Sequence, residues 1–131
     1  MSGLSIGQVA ERTGLSVHTL RFYEREGLLA HPVRRGAAGH RVYDEDDIGW
    51  LGVCIRLRAS GMPLTDIRRY TELVRAGQGN EVARLEVLRA HRERVLEQMH
   101  ELDECLKLIT EKVAVYESRL GLREGARECA S

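Results

Sequence analysis

Ser16-Val17-His18-Thr19-Leu20-Arg21-Phe22-Tyr23-Glu24-Arg25-Glu26-Gly27-Leu28 is the stretch on which the fold turns. Ser16 is a good N-cap, Val17, Leu20 and Tyr23 recur at helical spacing, and Gly27 closes the helix. Just upstream, Ser5 and Gln8 make a capping-box pattern ahead of Val9 and Ala10, and Gly14 ends that helix. Two short helices joined by a tight glycine-containing turn predict a helix-turn-helix. The second helix of such a unit enters the major groove with short polar groups and an arginine on its first turns. Ser16, His18, Thr19 and Arg21 are of that kind, and Tyr23 offers a hydroxyl to a phosphate. The same pattern also fits an amphipathic helix whose polar residues merely face water.

Downstream, Leu28 to Tyr43 has no helical period and contains Pro32, Gly36 and Gly39. A basic, glycine-containing loop followed by His40-Arg41-Val42-Tyr43 predicts a small β-wing. Arg34, Arg35, His40, Arg41 and Tyr43 flank it, a set suited to phosphate or minor-groove contact. The plain alternative is a solvated loop with Tyr43 as a hydrophobic anchor. Asp44 caps a third helix carrying Ile48, Leu51 and Ile55, which Gly61 ends. Arg58, near that end, is placed to add a phosphate contact. Pro63 stands at the first turn of a fourth helix with Ile67, Tyr70 and Val74 on one face, and Gly77 and Gly79 then break the chain.

From Asn80 to about Leu120 there is no proline or glycine. Leu88, Val95, Leu102, Ile109 and Tyr116 recur every seven residues, and Leu85, Met99, Leu106, Val113 and Leu120 form a second series, with Arg92 at its missing step. Two interleaved heptad series predict a coiled-coil seam on a helix of roughly 60 Å. So small a head cannot bury that stripe, and a second copy of the chain is the simplest partner. The expected organisation is a winged helix-turn-helix head over residues 1–78, a dimerisation helix over 79–120 and a flexible tail over 121–131. The fold class is mainly α.

Charge supports this division. The 131-residue chain has 20 basic and 20 acidic side chains, so it is formally neutral, yet residues 1–43 hold six arginines against three glutamates. A basic head and an acidic remainder suit a head that meets phosphates. The three cysteines, Cys54, Cys105 and Cys129, are too few and too scattered for a disulfide framework, which points to a reducing, cytoplasmic setting. They also lack metal-ligand spacing, so no metal or cofactor is expected. No signal peptide and no run of about 20 apolar residues is visible, so no membrane partner is expected. Without a phosphate loop, a metal set or a nucleophile–base pair, the sequence does not read as an enzyme.

These residues resemble the MerR family of bacterial regulators. The likeness rests on Leu20 to Leu28, Arg41-Val42-Tyr43, Asp47-Ile48 and Arg58-Ala59-Ser60-Gly61-Met62-Pro63-Leu64, with the long helix after them. It implies an antiparallel coiled-coil homodimer on double-stranded promoter DNA. That dimer would activate, or repress, by distorting an overlong spacer so that RNA polymerase engages both promoter elements. The chain departs from the family pattern at Phe22, where a tyrosine is usual, and at Pro63, where a serine usually caps the fourth helix.

Metal-sensing members carry a cysteine where this chain has Asn80-Glu81-Val82, and drug-binding members carry a large C-terminal domain. The segment Tyr43 to Trp50, followed by Cys54, is similar instead to the compact NmlR/AdhR-type branch, which responds to thiol-reactive or aldehyde stress. This makes Cys54 the candidate sensor, with Arg56 and Arg58 nearby to favour a thiolate. A small buried hydrophobe is the other reading of Cys54, packing is expected for Cys105, and an exposed tail thiol for Cys129. The alternative function is a coiled-coil interaction protein that uses its helix-turn-helix to dock another protein.

Overall fold

The computed structural model describes residues 3–31, 34–36 and 39–122. In chain order it has α1 (Ile6–Thr13), α2 (Val17–Arg25), β1 (Arg34–Arg35), β2 (Arg41–Val42), α3 (Glu45–Ala59), α4 (Leu64–Arg75) and α5 (Glu81–Leu120). Pro32 and most of the expected tail, Cys129 included, lie outside the described residues.

Local chemistry sets the helix starts. Ser5 and Gln8 form a reciprocal capping box on α1, and Gly14, at φ 79°, ends that helix in the left-handed conformation. Ser16 Oγ accepts from Thr19 N–H to start α2. Asp44 and Asp47 cap α3 reciprocally, and acidic residues in its first turn complement the helix dipole. Pro63 is the N-cap of α4, the position at which the family likeness puts a capping serine, and not a first-turn residue; it contributes no side-chain hydrogen bond and leaves its φ of −61° as the only local bias.

The head core is Val9, Leu20, Tyr23, Leu28, Leu29, Tyr43, Leu51, Cys54, Met62 and Ile67. It draws on α1 to α4 and the segment after α2, and each large apolar side chain buried there contributes about 1.5–3 kcal/mol. Residues 26–29 lie outside helix and sheet, yet Leu28 and Leu29 are buried, so their carbonyls need partners. Long side chains from α3 and α4 supply them. Trp50 Nε1 donates to Leu28 O at 2.7 Å, Arg75 Nε to Leu29 O at 2.7 Å, and Arg68 Nε to Glu26 O at 3.0 Å.

The wing is a two-stranded antiparallel hairpin in which Arg34 pairs with Val42 and Arg35 with Arg41. An isolated hairpin of this size is marginal in water. Here it is anchored by mutual backbone hydrogen bonds between Leu4 and Tyr43, at 2.7 and 2.8 Å.

The compact head runs through His91, beyond the glycine break at 77–79. Val87 packs against the core, His91 Nε2 lies 2.7 Å from Ser60 Oγ, and Arg84 Nη2 donates to Gly77 O. Farther along α5, the seam is unpaired in the single chain. Leu85, Met99, Leu102, Leu106, Ile109, Val113, Tyr116 and Leu120 are 45–72% exposed. Leu88 and Val95, expected on the same seam, are half-buried in the single chain. Cys105 is exposed in the single chain, as the seam residues beside it are. No helix among the described residues is long and apolar enough to cross a membrane.

Candidate nucleic-acid interface

Three parts of the head meet around one cleft of about 270 Å³: the start of α1 (Ser5, Ile6), the exposed side of α2 (Arg21), and the wing (Arg35, Gly39, His40, Arg41). Three guanidinium groups and an imidazole line a space large enough for a phosphate group. Sequence reasoning identifies the four basic residues but misses Ser5 and Ile6. Their signal is the α1 capping box, which fixes where the helix begins but does not say what lies beside it.

The wing strands present Arg35 directly opposite Arg41. Like charges in that position destabilise a hairpin. Two hydrogen bonds offset the repulsion: Arg35 Nη1 donates to Gly39 O at 3.0 Å, and Arg41 Nε donates to Glu24 Oε1 at 2.5 Å. Glu24 thereby holds the Arg41 guanidinium still more firmly protonated than usual. Arg34 Nη2 reaches Asp44 Oδ2 at 2.5 Å. Arg21 and Arg58 have no ion pair among the described residues and are exposed. His18 and His40 are exposed as well.

Several expectations need correction. Tyr43, expected at the phosphate contact, is 1% exposed, and its hydroxyl is buried without a hydrogen-bond partner among the described residues. Tyr23 is 5% exposed. Burial pushes both phenols up from their usual range, so the two rings are core and not free hydroxyls at the surface. Ser16 is exposed and Thr19 half-buried, and the Ser16 hydroxyl is already engaged by Thr19 through both its N–H and its Oγ1, each at 3.0 Å.

Cys54 is the clearest correction. Its side chain is fully buried, Sγ–H donates to Leu28 O at 3.6 Å, and burial pushes the thiol up to about 11. Arg56 and Arg58, both exposed, do not lower it. Packing, and not thiolate chemistry, is what this position does in the folded head.

His31, Asp44 and Asp47 bring one donor atom each within 4.8 Å of one another. Their oxygens already have partners: Asp44 takes Asp47 N–H and Arg34, and Asp47 takes Asp44 N–H and His31 at 3.2 Å. This is a helix cap tied to the wing. The Asp47 N–H and, secondarily, Arg34 hold the Asp44 carboxyl below its usual range, whereas burial pushes that of Asp47 up.

Comparison with known proteins agrees with this geometry. The MerR HTH family regulatory protein profile matches residues 4–73, and the MerR DNA-binding profile matches residues 49–111. The chain is 36% identical over 115 residues to an uncharacterized HTH-type transcriptional regulator of Haemophilus influenzae, covering 88% of this chain and 84% of that one. It is 39% identical over 94 residues to the regulator AdhR of Bacillus subtilis, covering 72% and 66%. Among solved structures, HiNmlR, a MerR family regulator lacking the sensor domain and bound to promoter DNA, superposes with a TM-score of 0.82 at 34% identity, over 92% of this chain and 94% of that one. A MerR family regulator from Listeria monocytogenes superposes at 0.85 with 27% identity, over 97% and 96%. With its winged helix-turn-helix and basic cleft, the chain belongs to the MerR family of DNA-binding transcription regulators.

Proposed function

We propose that two copies of this chain bind promoter DNA through paired heads, each laying α2 in the major groove and gripping flanking phosphates in the cleft between α1, α2 and the wing. The observation that carries the reading is the cleft itself, where Arg21, Arg35, His40 and Arg41 converge on one phosphate-sized space. On α2, His18, Arg21 and Arg25 are exposed; with Arg21 in the cleft, His18 is available to base edges, and Arg58 adds a phosphate contact from the end of α3. The DNA-bound state of the similar HiNmlR supports this over a protein-docking role.

The exposed apolar face of α5 supports the dimer. An antiparallel pairing suits it better than a parallel one. In a parallel, in-register pair, Arg92 meets its own copy inside the seam, whereas antiparallel helices pair one series with the other and keep the two arginines apart. Two heads at a fixed separation match a pseudo-palindromic operator. Distortion of the spacer between its halves would bring both promoter elements to RNA polymerase in the cytoplasm.

Fluorescence anisotropy with a labelled duplex tests the cleft. Arg21→Ala and Arg41→Ala each weaken binding about tenfold or more and reduce the salt slope by about one, while the chain remains dimeric. Unchanged affinity in the double variant contradicts the reading.

A further inference from the structure

Arg41 is held in an unusual way for a residue facing DNA. Its Nε is engaged by Glu24 at 2.5 Å, and both side chains are about one-quarter exposed, 27% and 25%. Its two Nη groups have no partner among the described residues, and the residue lines the cleft. A guanidinium fixed through Nε alone keeps its outer fork free, and that fork has the geometry for bidentate contact with a phosphate. Without the carboxylate, Arg41 would sit opposite Arg35 on a two-stranded hairpin, where repulsion turns it away. Glu24 belongs to α2, three residues after Arg21, which lines the same cleft, so one helix presents a cation to the ligand and an anion to the wing.

We infer that Glu24 is a positioning residue for DNA binding: it aims the Nη pair of Arg41 at a backbone phosphate and couples the wing to α2. The inference rests on the cleft being the phosphate site. It makes a prediction of unexpected sign. Judged by charge alone, an acid beside a phosphate site weakens binding, and its removal should tighten the complex. Positioning requires the opposite.

The experiment uses the full chain and a fluorescein-labelled mixed-sequence duplex, since phosphate contacts do not depend on the operator. Anisotropy titrations at several salt concentrations compare wild type, Glu24→Ala, Glu24→Gln, Arg41→Ala and the double variant Glu24→Ala/Arg41→Ala. Glu24→Ala is expected to weaken binding about tenfold and lower the salt slope by about one, as Arg41→Ala does. The double variant binds no more weakly than Arg41→Ala alone, because the two residues act as one unit. Glu24→Gln recovers binding to within about threefold of wild type, since its amide oxygen still accepts from Nε. Should alanine loosen the hairpin, as a circular dichroism melt will show, Glu24→Met fills the same space without an acceptor and takes its place. Equal or tighter binding by Glu24→Ala, with Arg41→Ala weakened, overturns the inference and leaves the cleft standing. Unchanged binding by Arg41→Ala removes the cleft reading and this one with it.

Discussion

The Cys54 thiol is enclosed by the head core, and its proton stays on because a thiolate there would lose its hydration with no cation to replace it. With the thiol near 11, the reactive form at neutral pH is about one part in ten thousand. Iodoacetamide should therefore alkylate Cys105, which is exposed, and leave Cys54 untouched until the chain is unfolded in urea. Peptide mass spectrometry reads this directly, and native-state labelling of Cys54 at the Cys105 rate contradicts it. At this scale the sequence is legible for charge and poorly legible for burial. The cations of the cleft follow from composition and order alone. Tyr23, Tyr43 and Cys54 do not, because whether an amphipathic side chain turns its polar end in or out depends on neighbours distant in sequence. Glu24 escapes for the same reason: its partner lies 17 residues away, across the wing.

The N-terminus of α3 joins three elements, since Asp44 caps the helix, pairs with Arg34 of β1 and shares its hydrogen bonds with Asp47. Its depressed carboxyl contributes stability that is whole above the unfolded value of about 4 and is lost as pH falls through the lower folded value. Asp47 moves in the opposite direction, so the contribution is best isolated against Asp44→Asn, in which Asp47 is common to both proteins. Asparagine still caps but neither titrates nor pairs with Arg34. Urea unfolding should show Asp44→Asn less stable by about 0.5–1 kcal/mol at neutral pH, with the gap narrowing as pH falls below about 4. A gap independent of pH contradicts the assignment. The elements themselves are largely readable, because a glycine follows each of α1 to α4 and short polar caps open α1, α2 and α3. Residue spacing alone does not fix Pro63 at the cap, because a fixed φ suits both the N-cap and the first turn.

For the molecule as a whole, the heptad pattern and the exposure of α5 speak to the same property from two sides. The spacing of Leu102, Leu106, Ile109 and Val113 declares a seam, and their exposure in the single chain leaves it without a cover. At about 25 cal/mol per Å² of apolar surface, such a stripe favours association strongly. The packing of Val87 against the head core is not readable from the pattern, because a heptad series cannot distinguish a side chain that meets a partner from one that meets its own head. Operator binding requires two heads gripping one duplex. Sedimentation of a labelled promoter duplex with the 14.8 kDa chain tests this, alongside Leu106→Asp/Val113→Asp, which places charge in the seam. Two wild-type chains per duplex, with binding lost together with dimerisation in the variant, is the predicted result. One chain per duplex, or a monomeric variant that binds as tightly as wild type, would contradict it.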